Sequence, residues 1–206
     1  MQLVQGDGRH FRLIALYATP IEAPDLSDMP GVIGSLWNER AVDQLQGAQV
    51  PSLGGVLEVR CEYRAVLEVV AQRVGASTRP LTMLCTREHV VMERGVPVDA
   101  IKGIFLFRRR EDLPLDRFQS YWLHHHGPIA SRTPDALRYV QCHVLPEAYA
   151  SGTPPYDGVT EIYWPSFDRM VESMGSHSMT VEQAGDAPNF VAPNSVDILT
   201  VRETVR

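Results

Sequence analysis

The sequence lacks several features that would assign the chain to a common class of protein. Its 206 residues contain three cysteines, an odd number with no CxxC spacing, which gives no indication of a disulfide framework. Cys85 and Cys142 lie in apolar runs, where a free thiol packs as a small hydrophobic group. The first ten residues show no basic leader, and no window approaches the apolar length that spans a bilayer. We therefore expect a soluble, unprocessed protein in a reducing, cytoplasmic compartment.

Two further absences exclude classes of partner. The net charge is −6, and no stripe of Lys and Arg supplies the concentrated positive field that phosphate backbones require. A Gly-rich phosphate loop, a nucleophile elbow and a flavin signature are also missing from the sequence. We therefore expect no nucleic-acid partner, no membrane partner and no bound cofactor.

What the sequence does contain is a similarity between its two halves. Together with a length of 206 residues and 44% apolar content, this favours two units of about 100 residues each. We place them at residues 1–98 and 99–206, with Trp37 and Trp122 at equivalent core positions. The matching segments are residues 55–59 (GVLEV) with 158–162 (GVTEI), 84–90 (LCTREHV) with 199–205 (LTVRETV), and 35–37 (SLW) with 120–122 (SYW).

Hydrophobic periodicity and turn residues predict the secondary structure. The second unit has the order β-α-β-β-α-β, the ferredoxin-like plan, and the repeat extends this plan to the first unit. In the first unit the predicted elements are strands at 11–19, 56–61 and 80–92, helices at 34–46 and 63–74, and a proline-rich loop at 20–30. In the second they are strands at 101–108, 136–145, 159–164 and 195–204, a helix from Pro114 that Gly127-Pro128 ends, and a helix at 166–174.

A ferredoxin-like sheet carries its helices on one face and leaves the other face to be covered. Two such sheets packed face to face within one chain predict an α+β fold, an intramolecular dimeric α/β barrel with a pocket between the sheets. On the strand at 136–145, Tyr139, Gln141 and His143 share one face, while Val140 and its apolar neighbours share the other. We expect the polar stripe, together with Glu161, to face away from the helices and to line this pocket.

The second unit contains three motifs, which are Phe118-x-x-Tyr121-Trp122-x-x-His125-His126-Gly127-Pro128, Arg138-Tyr139-x-Gln141-x-His143 and Tyr156-Asp157-Gly158-Val159-x-Glu161. With these motifs it resembles the EthD family of dimeric α/β-barrel proteins, whose later acidic and aromatic patch is matched more loosely by residues 185–190 (GDAPNF). The first unit resembles the family only through the repeat, and Ala41 stands there in the place of His126. The resemblance implies a family that includes proteins of unknown role, an accessory protein of ether degradation, and cofactor-free enzymes that dehydrate or cyclise polyketide-type aromatics.

Two imidazoles, one carboxylate and two phenols around an apolar cavity are groups that move protons on a hydrophobic substrate. His126, in the last turn of its helix, suits the acid because the helix dipole favours imidazolium. His143, which burial keeps neutral, suits the base. Three adjacent histidines point about 100° apart on a helix and cannot bind one metal ion, so we expect no metal site. The candidate catalytic residues are His126, His143 and Glu161, and the candidate substrate-binding residues are Tyr121, Tyr139, Gln141, His125 and Asp157.

Structural roles compete with these chemical roles. A histidine followed by Gly-Pro, such as His126, can cap carbonyl groups of its own helix, and His125 fits a solvated surface. Glu161 has a counterpart, Glu58, in the unit that lacks the histidines. This indicates a structural ion pair, with Arg87 and Arg202 as the candidate partners.

We therefore expect a cofactor-independent lyase, dehydratase or isomerase that uses histidine acid–base chemistry on a small hydrophobic substrate, either aromatic or polyketide-like. One alternative is a non-catalytic accessory protein that binds a hydrophobic metabolite or haem for a degradation pathway. The other alternative is a cofactor-free oxygenase. The pseudo-dimeric chain can also pair with a second copy as a homodimer.

Overall fold

Eight strands form a closed antiparallel barrel in the computed structural model, which describes residues 10–205. Residues 1–9, where no targeting segment is expected, lie outside the described residues. The order around the barrel is β1-β3-β2-β8-β5-β7-β6-β4. The strands are β1 (Phe11–Tyr17), β2 (Val32–Arg40), β3 (Gly55–Cys61), β4 (Thr82–Glu93), β5 (Ile101–Phe107), β6 (Arg138–Val144), β7 (Gly158–Trp164) and β8 (Asp197–Val205).

Each half of the chain contributes four adjacent strands to the barrel. The first half runs β4-β1-β3-β2 and the second runs β6-β7-β5-β8, which in both halves is the spatial order of a ferredoxin-like sheet. The pairs β2–β8 and β4–β6 join the two halves and close the barrel. The order β-α-β-β-α-β predicted for the second unit is confirmed. Its helices are α2 (Leu115–Tyr121), which continues through a π-helical turn (Trp122–His126) into α3 (Gly127–Ala130), and α4 (Phe167–Met174).

The predicted helix at residues 34–46 is wrong, because these residues begin in β2. Of the three residues at helical spacing, Trp37 lies in the strand, and Ala41 and Leu45 follow its end. Trp37 packs on the outer face of β2, where its ring lies 5.8 Å from that of Tyr17. Strand β2 pairs with β3 on one side and β8 on the other, so its backbone groups are satisfied by the barrel. Trp37 and Trp122 are both buried, as predicted, but they occupy a strand and a helix and are not equivalent.

The helix predicted at residues 63–74 is confirmed as α1 (Arg64–Thr78), which is longer than expected. Gly75, the expected residue after its end, lies within the helix. Arg79 ends the helix instead, in the left-handed conformation with φ of 51°. Within the described residues, no helix is both long enough and apolar enough to cross a bilayer.

Side chains fill the interior of the barrel in two layers. One layer is apolar and includes Ile14, Ile104, Val140 and Cys142, all of which are buried. The other layer is polar and contains one residue from each of the eight strands. In order along the chain these residues are Arg12, Asn38, Glu58, Glu88, Lys102, Arg138, Glu161 and Glu203. The space between the two sheets, where a pocket was expected, is therefore occupied by packed side chains.

Arg12 is the centre of the polar layer. One of its guanidinium nitrogens donates hydrogen bonds of 2.6 Å to both Glu58 and Glu161, and another donates to Glu88. Lys102 Nζ lies 2.5 Å from a Glu58 oxygen and 3.4 Å from a Glu161 oxygen. Burial, with the neighbouring Glu161, raises the pKa of Glu58 to about 7 against the opposing effect of the two cations.

The structural interpretation of Glu161 is supported by these contacts, although the partners differ from those expected. Burial raises the pKa of Glu161, but Arg12 and Lys102 outweigh it and leave this pKa below its ordinary value. Arg202 is exposed and donates to the backbone oxygen of Asp99. Glu161 therefore belongs to the barrel interior and pairs with cations that sequence spacing did not indicate.

Replacing Arg12 by Met should destabilise the fold by about 3–5 kcal/mol, because three buried carboxylates would lose their shared cation. Urea unfolding measures this change. The matched control is Arg73→Met, which breaks an exposed pair with Asp28 at 3.4 Å and should cost about 1 kcal/mol or less. Equal losses in the two variants would contradict a structural role for the polar layer.

Candidate functional site

The candidate site is a cavity of about 200 Å³ on the outer face of the second half's sheet. The sheet forms one wall, the helical residues 115–130 form the second, and residues 178–191 form the third. The lining is mostly apolar, with a few polar groups. Its members include Phe105, Phe107, Tyr139, Thr160, Ile162 and Ile198 from the strands, Trp122 and His126 from the helix, and Met179, Gln183, Phe190 and Val191 from the covering segment.

The π-helical turn positions His126 in this wall. Pro128 has no N–H and its ring would collide with the carbonyl four residues earlier, so a regular α-helical turn is disfavoured here. The wider turn solves this problem, since Gly127 donates its N–H to the carbonyl of Trp122, five residues earlier. The helix then continues through α3, so the expectation that Gly127-Pro128 ends it is wrong. His126 consequently lies inside the helix and away from the negative end of the dipole.

Asp186 holds the His126 ring. The distance from His126 Nδ1 to Asp186 Oδ2 is 2.8 Å, and the other carboxylate oxygen accepts hydrogen bonds from the Tyr121 hydroxyl at 2.6 Å and the Asn189 amide at 3.1 Å. Because a carboxylate only accepts, this contact assigns the ring proton to Nδ1. Among the described residues, His126 Nε2 has no hydrogen-bond partner, and its lone pair is free for a molecule in the cavity.

Burial lowers the pKa of His126 below its ordinary value, and the hydrogen bond and charge of Asp186 oppose this effect without cancelling it. The imidazole is therefore neutral at pH 7, which suits a base. Burial raises the pKa of Asp186, but the hydrogen bonds from Tyr121 and His126 outweigh it, so the carboxyl is ionised. We expected His126 to be the acid because of its place at a helix end. The structure instead places its ring inside the helix and beside a carboxylate, where it suits a base.

The polar stripe on β6 points toward the helices, which corrects the expected orientation. His143 stacks on the ring of Trp122 with centroids 4.3 Å apart, and its Nε2 lies 3.0 Å from Gln141 Oε1. Gln141 also donates to the carbonyl of Trp122 at 3.0 Å. Burial places the pKa of His143 well below its ordinary value, and neighbouring cationic groups lower it further.

The three predicted catalytic residues do not meet at one place. Trp122 lines the cavity of His126 and stacks on His143, which lines a different cavity. Glu161 points into the barrel, on the other side of the sheet. The structure therefore brings His126 together with Asp186 and leaves His143 and Glu161 in separate environments.

The predicted substrate-binding residues also separate. Tyr139 lines the cavity, and its hydroxyl accepts a hydrogen bond of 2.8 Å from Gln141. Burial raises the pKa of Tyr139 to about 12, so its hydroxyl stays protonated. His125 is exposed, with its Nε2 3.6 Å from Asp186 Oδ1. Asp157 lies outside the cavity and pairs with Arg109 at 3.1 Å.

Asp186 is the important site residue that sequence reasoning did not select. It lies in a short helical stretch after a second π-helical turn (Ser178–Gln183), and no periodicity marks it. The only signal was the loose match of residues 185–190 to an acidic and aromatic patch. Phe190 of the same segment packs against the His126 ring with centroids 4.7 Å apart.

Replacing Asp186 by Asn should lower the pKa of His126 further, because the carboxylate raises that pKa through its hydrogen bond and its charge. The NMR shift of the His126 Cε1 proton, followed as a function of pH, measures the effect. Asp168→Asn, an exposed change in the first turn of α4, is the control and should leave the titration unchanged. A His126 pKa that rises in the Asp186 variant would show that the pair does not exist in solution.

A protein-family model matches the part of the chain that carries the candidate site. The EthD domain model matches residues 110–194, a range that contains both His126 and Asp186. No protein with a curated description matches the sequence.

Three solved structures are similar to this chain, and the first two show its fold. An anthrone oxidase-like protein is 12% identical with a TM-score of 0.65, over 98% of this chain and 94% of that chain. A chlorite dismutase from Candidatus Nitrospira defluvii is 8% identical with a TM-score of 0.54, over 97% of this chain and 93% of that chain. An ethyl tert-butyl ether degradation (EthD) family protein from Bacillus halodurans C-125 is 17% identical with a TM-score of 0.42, over 51% of this chain and 99% of that chain. Residues 110–194 thus match the EthD domain model, within a chain that has the dimeric α/β-barrel fold.

Proposed function

We propose that this protein is a cofactor-independent enzyme that isomerises or dehydrates a small hydrophobic carbonyl compound or phenol, with His126 as the general base. The observation that carries the proposal is the 2.8 Å contact of His126 with Asp186 at the wall of an apolar cavity. A neutral imidazole, oriented by a carboxylate and screened from bulk water, is well suited to remove a proton from carbon.

The reaction follows from the positions of these groups. His126 Nε2 takes a proton from a carbon next to the substrate carbonyl, and the electron pair moves to the carbonyl oxygen. Asp186 stabilises the imidazolium that forms. Tyr139 and Thr160 line the cavity with hydroxyl groups that can donate to the developing oxyanion. Return of the proton from the imidazolium to a different carbon completes an isomerisation, and its transfer to a β-hydroxyl, which then leaves as water, completes a dehydration.

The size of the cavity favours a small substrate and does not fit haem. A volume of about 200 Å³ lies below the roughly 300–1,000 Å³ of pockets that enclose drug-sized ligands, and a porphyrin is larger than most such ligands. The lining residues of this cavity also include no Lys or Arg to pair with haem propionates. The haem-binding alternative therefore has little support in this site.

An oxidative outcome is the second candidate, because the same proton abstraction can begin it. A carbanion formed by His126 on an anthrone-type substrate can pass electrons to molecular oxygen, which then enters as a co-substrate. The fold similarity to an anthrone oxidase-like protein is compatible with this route. Oxygen uptake in step with substrate loss would assign it, and substrate conversion without oxygen uptake would assign isomerisation or dehydration.

We also propose that the two units at residues 1–98 and 99–206 arose by tandem duplication. The shared strand order of the two halves supports this origin. Residues 18–31, between β1 and β2, form a loop where the second half has helix α2. A homodimer, a cytoplasmic location and the lack of nucleic-acid or membrane partners stay predictions.

The proposal predicts that the protein accelerates hydrogen–deuterium exchange next to the carbonyl of 2-tetralone in D₂O, measured by proton NMR. His126→Asn should lower this rate by about 10²–10⁴-fold. The matched control is His143→Asn, which removes a buried imidazole from the neighbouring cavity and should leave the rate unchanged.

The exchange rate should also fall as the pH drops through the lowered pKa of His126, below its ordinary value of 6.5, because only the neutral ring accepts a proton. Wild-type exchange no faster than in buffer, or undiminished exchange in the His126 variant, would contradict the proposal.

A further inference from the structure

A second cavity, of about 370 Å³, lies where the two halves of the chain meet. Strands β4 and β6 pair across this junction, and Arg87 stands directly opposite His143 in their register. Helix α1 and the helical residues 119–124 complete the walls. The chemically distinctive lining residues are Arg64, Arg87, His89, His124, His143 and Glu147.

The charge in this cavity is unbalanced. Glu147 is paired with Arg64 at 2.7 Å, and both side chains are about half exposed. Arg87 is exposed at the rim of the cavity and has no carboxylate partner among the described residues, and its guanidinium carbon lies 5.4 Å from the centre of the Phe11 ring. Because Glu147 offsets only Arg64, the guanidinium of Arg87 is left without a counter-charge.

The imidazoles of this cavity also indicate that a negative charge is missing from it. His143 is 4% exposed and its Nε2 contacts Gln141, which leaves Nδ1 without a hydrogen-bond partner in the described part of the chain. The His89 and His143 rings lie 4.5 Å apart. Burial, together with the positive charges of Arg87 and His124, lowers the pKa of His89 to about 4, and the charge of Glu88 opposes this effect only weakly. A negatively charged ligand would supply a counter-charge for Arg87 and would raise the pKa of both His89 and His143.

A metal ion is a less suitable occupant. Within residues 10–205, no group of three or more His, Cys, Asp or Glu side chains is arranged to hold a metal ion. A permanently charged guanidinium beside the imidazoles also repels a cation. A planar guanidinium group is instead a donor that matches the oxygens of an oxyanion, and a neutral imidazole can take up a proton and donate as well once a bound anion raises its pKa.

We propose that this second cavity binds a small oxyanion, such as a phosphate group, through Arg87 and the His89–His143 pair. The site takes Arg87 and His89 from the first half of the chain and His143 from the second. Ser120, exposed on α2, supplies a neutral hydroxyl donor at the rim. The site goes beyond the proton-transfer function of the His126 cavity and is separate from it, since Trp122 lines the His126 cavity and stacks on His143 of this one.

Isothermal titration calorimetry with inorganic phosphate, at constant ionic strength set with chloride, tests this proposal. We expect saturable binding of one phosphate per chain. Arg87→Gln should weaken binding by about tenfold or more, because a charge-assisted hydrogen bond is lost. Arg202→Gln, an equal charge change at an exposed position away from the cavity, should leave it unchanged. Circular dichroism establishes that each variant is folded, and Arg87→Lys, which keeps the charge, should restore part of the affinity.

Further arms separate the possible outcomes. Phenyl phosphate that binds more tightly than inorganic phosphate would indicate that the oxyanion is part of an ester, whereas equal affinities would indicate free phosphate. His126→Asn should leave phosphate binding intact, so failure of the proton-transfer proposal would not affect this one. Absence of saturable binding, equal weakening by the Arg202 change, or Zn²⁺ binding that requires His89 and His143 would overturn the oxyanion site.

Discussion

The buried guanidinium of Arg12 is the contact on which the remaining architecture depends. It joins Glu58, Glu88 and Glu161, which come from three strands, and Lys102 adds a second cation from a fourth. Such charges are stable in a low-dielectric interior only when each is paired and hydrogen-bonded. The polar layer and the apolar layer beside it together fill the barrel interior with side chains that stabilise the fold. A ligand must therefore bind outside the barrel, between the sheet and its helices.

The helix that covers the second half's sheet separates two different environments. On one side of Trp122, the His126 ring contacts a carboxylate and faces an apolar cavity, which favours proton transfer on a hydrophobic molecule. On the other side, His143 lies beside His89 and Arg87, where positive charge is in excess. The same residue type thus has two chemical roles, because burial and neighbouring charges differ between the two cavities.

The sequence was sufficient for the order of strands and helices in the second half, and insufficient for part of the first half and for the site. Periodicity and turn residues located every strand and both main helices of the second half, and the motif located His126, Tyr121 and Tyr139. The orientation of β6 could not be inferred, because both of its faces are buried and alternation only reports that the faces differ. Strand β2 was mistaken for a helix because Trp37, Ala41 and Leu45 have helical spacing, although only Trp37 lies in the strand and the other two follow its end at Arg40. Asp186 was missed because its partner, His126, is 60 residues away in sequence.

A crystal structure of the protein pressurised with xenon is the most direct test of where a ligand can bind, because xenon occupies apolar space that side chains leave empty. The architecture predicts a xenon atom between the sheet and the helices, in contact with Phe107, Trp122 and His126. It predicts none among Ile104, Val140 and the other side chains of the apolar barrel layer. Xenon inside the barrel, with the space beside His126 closed, would contradict the account.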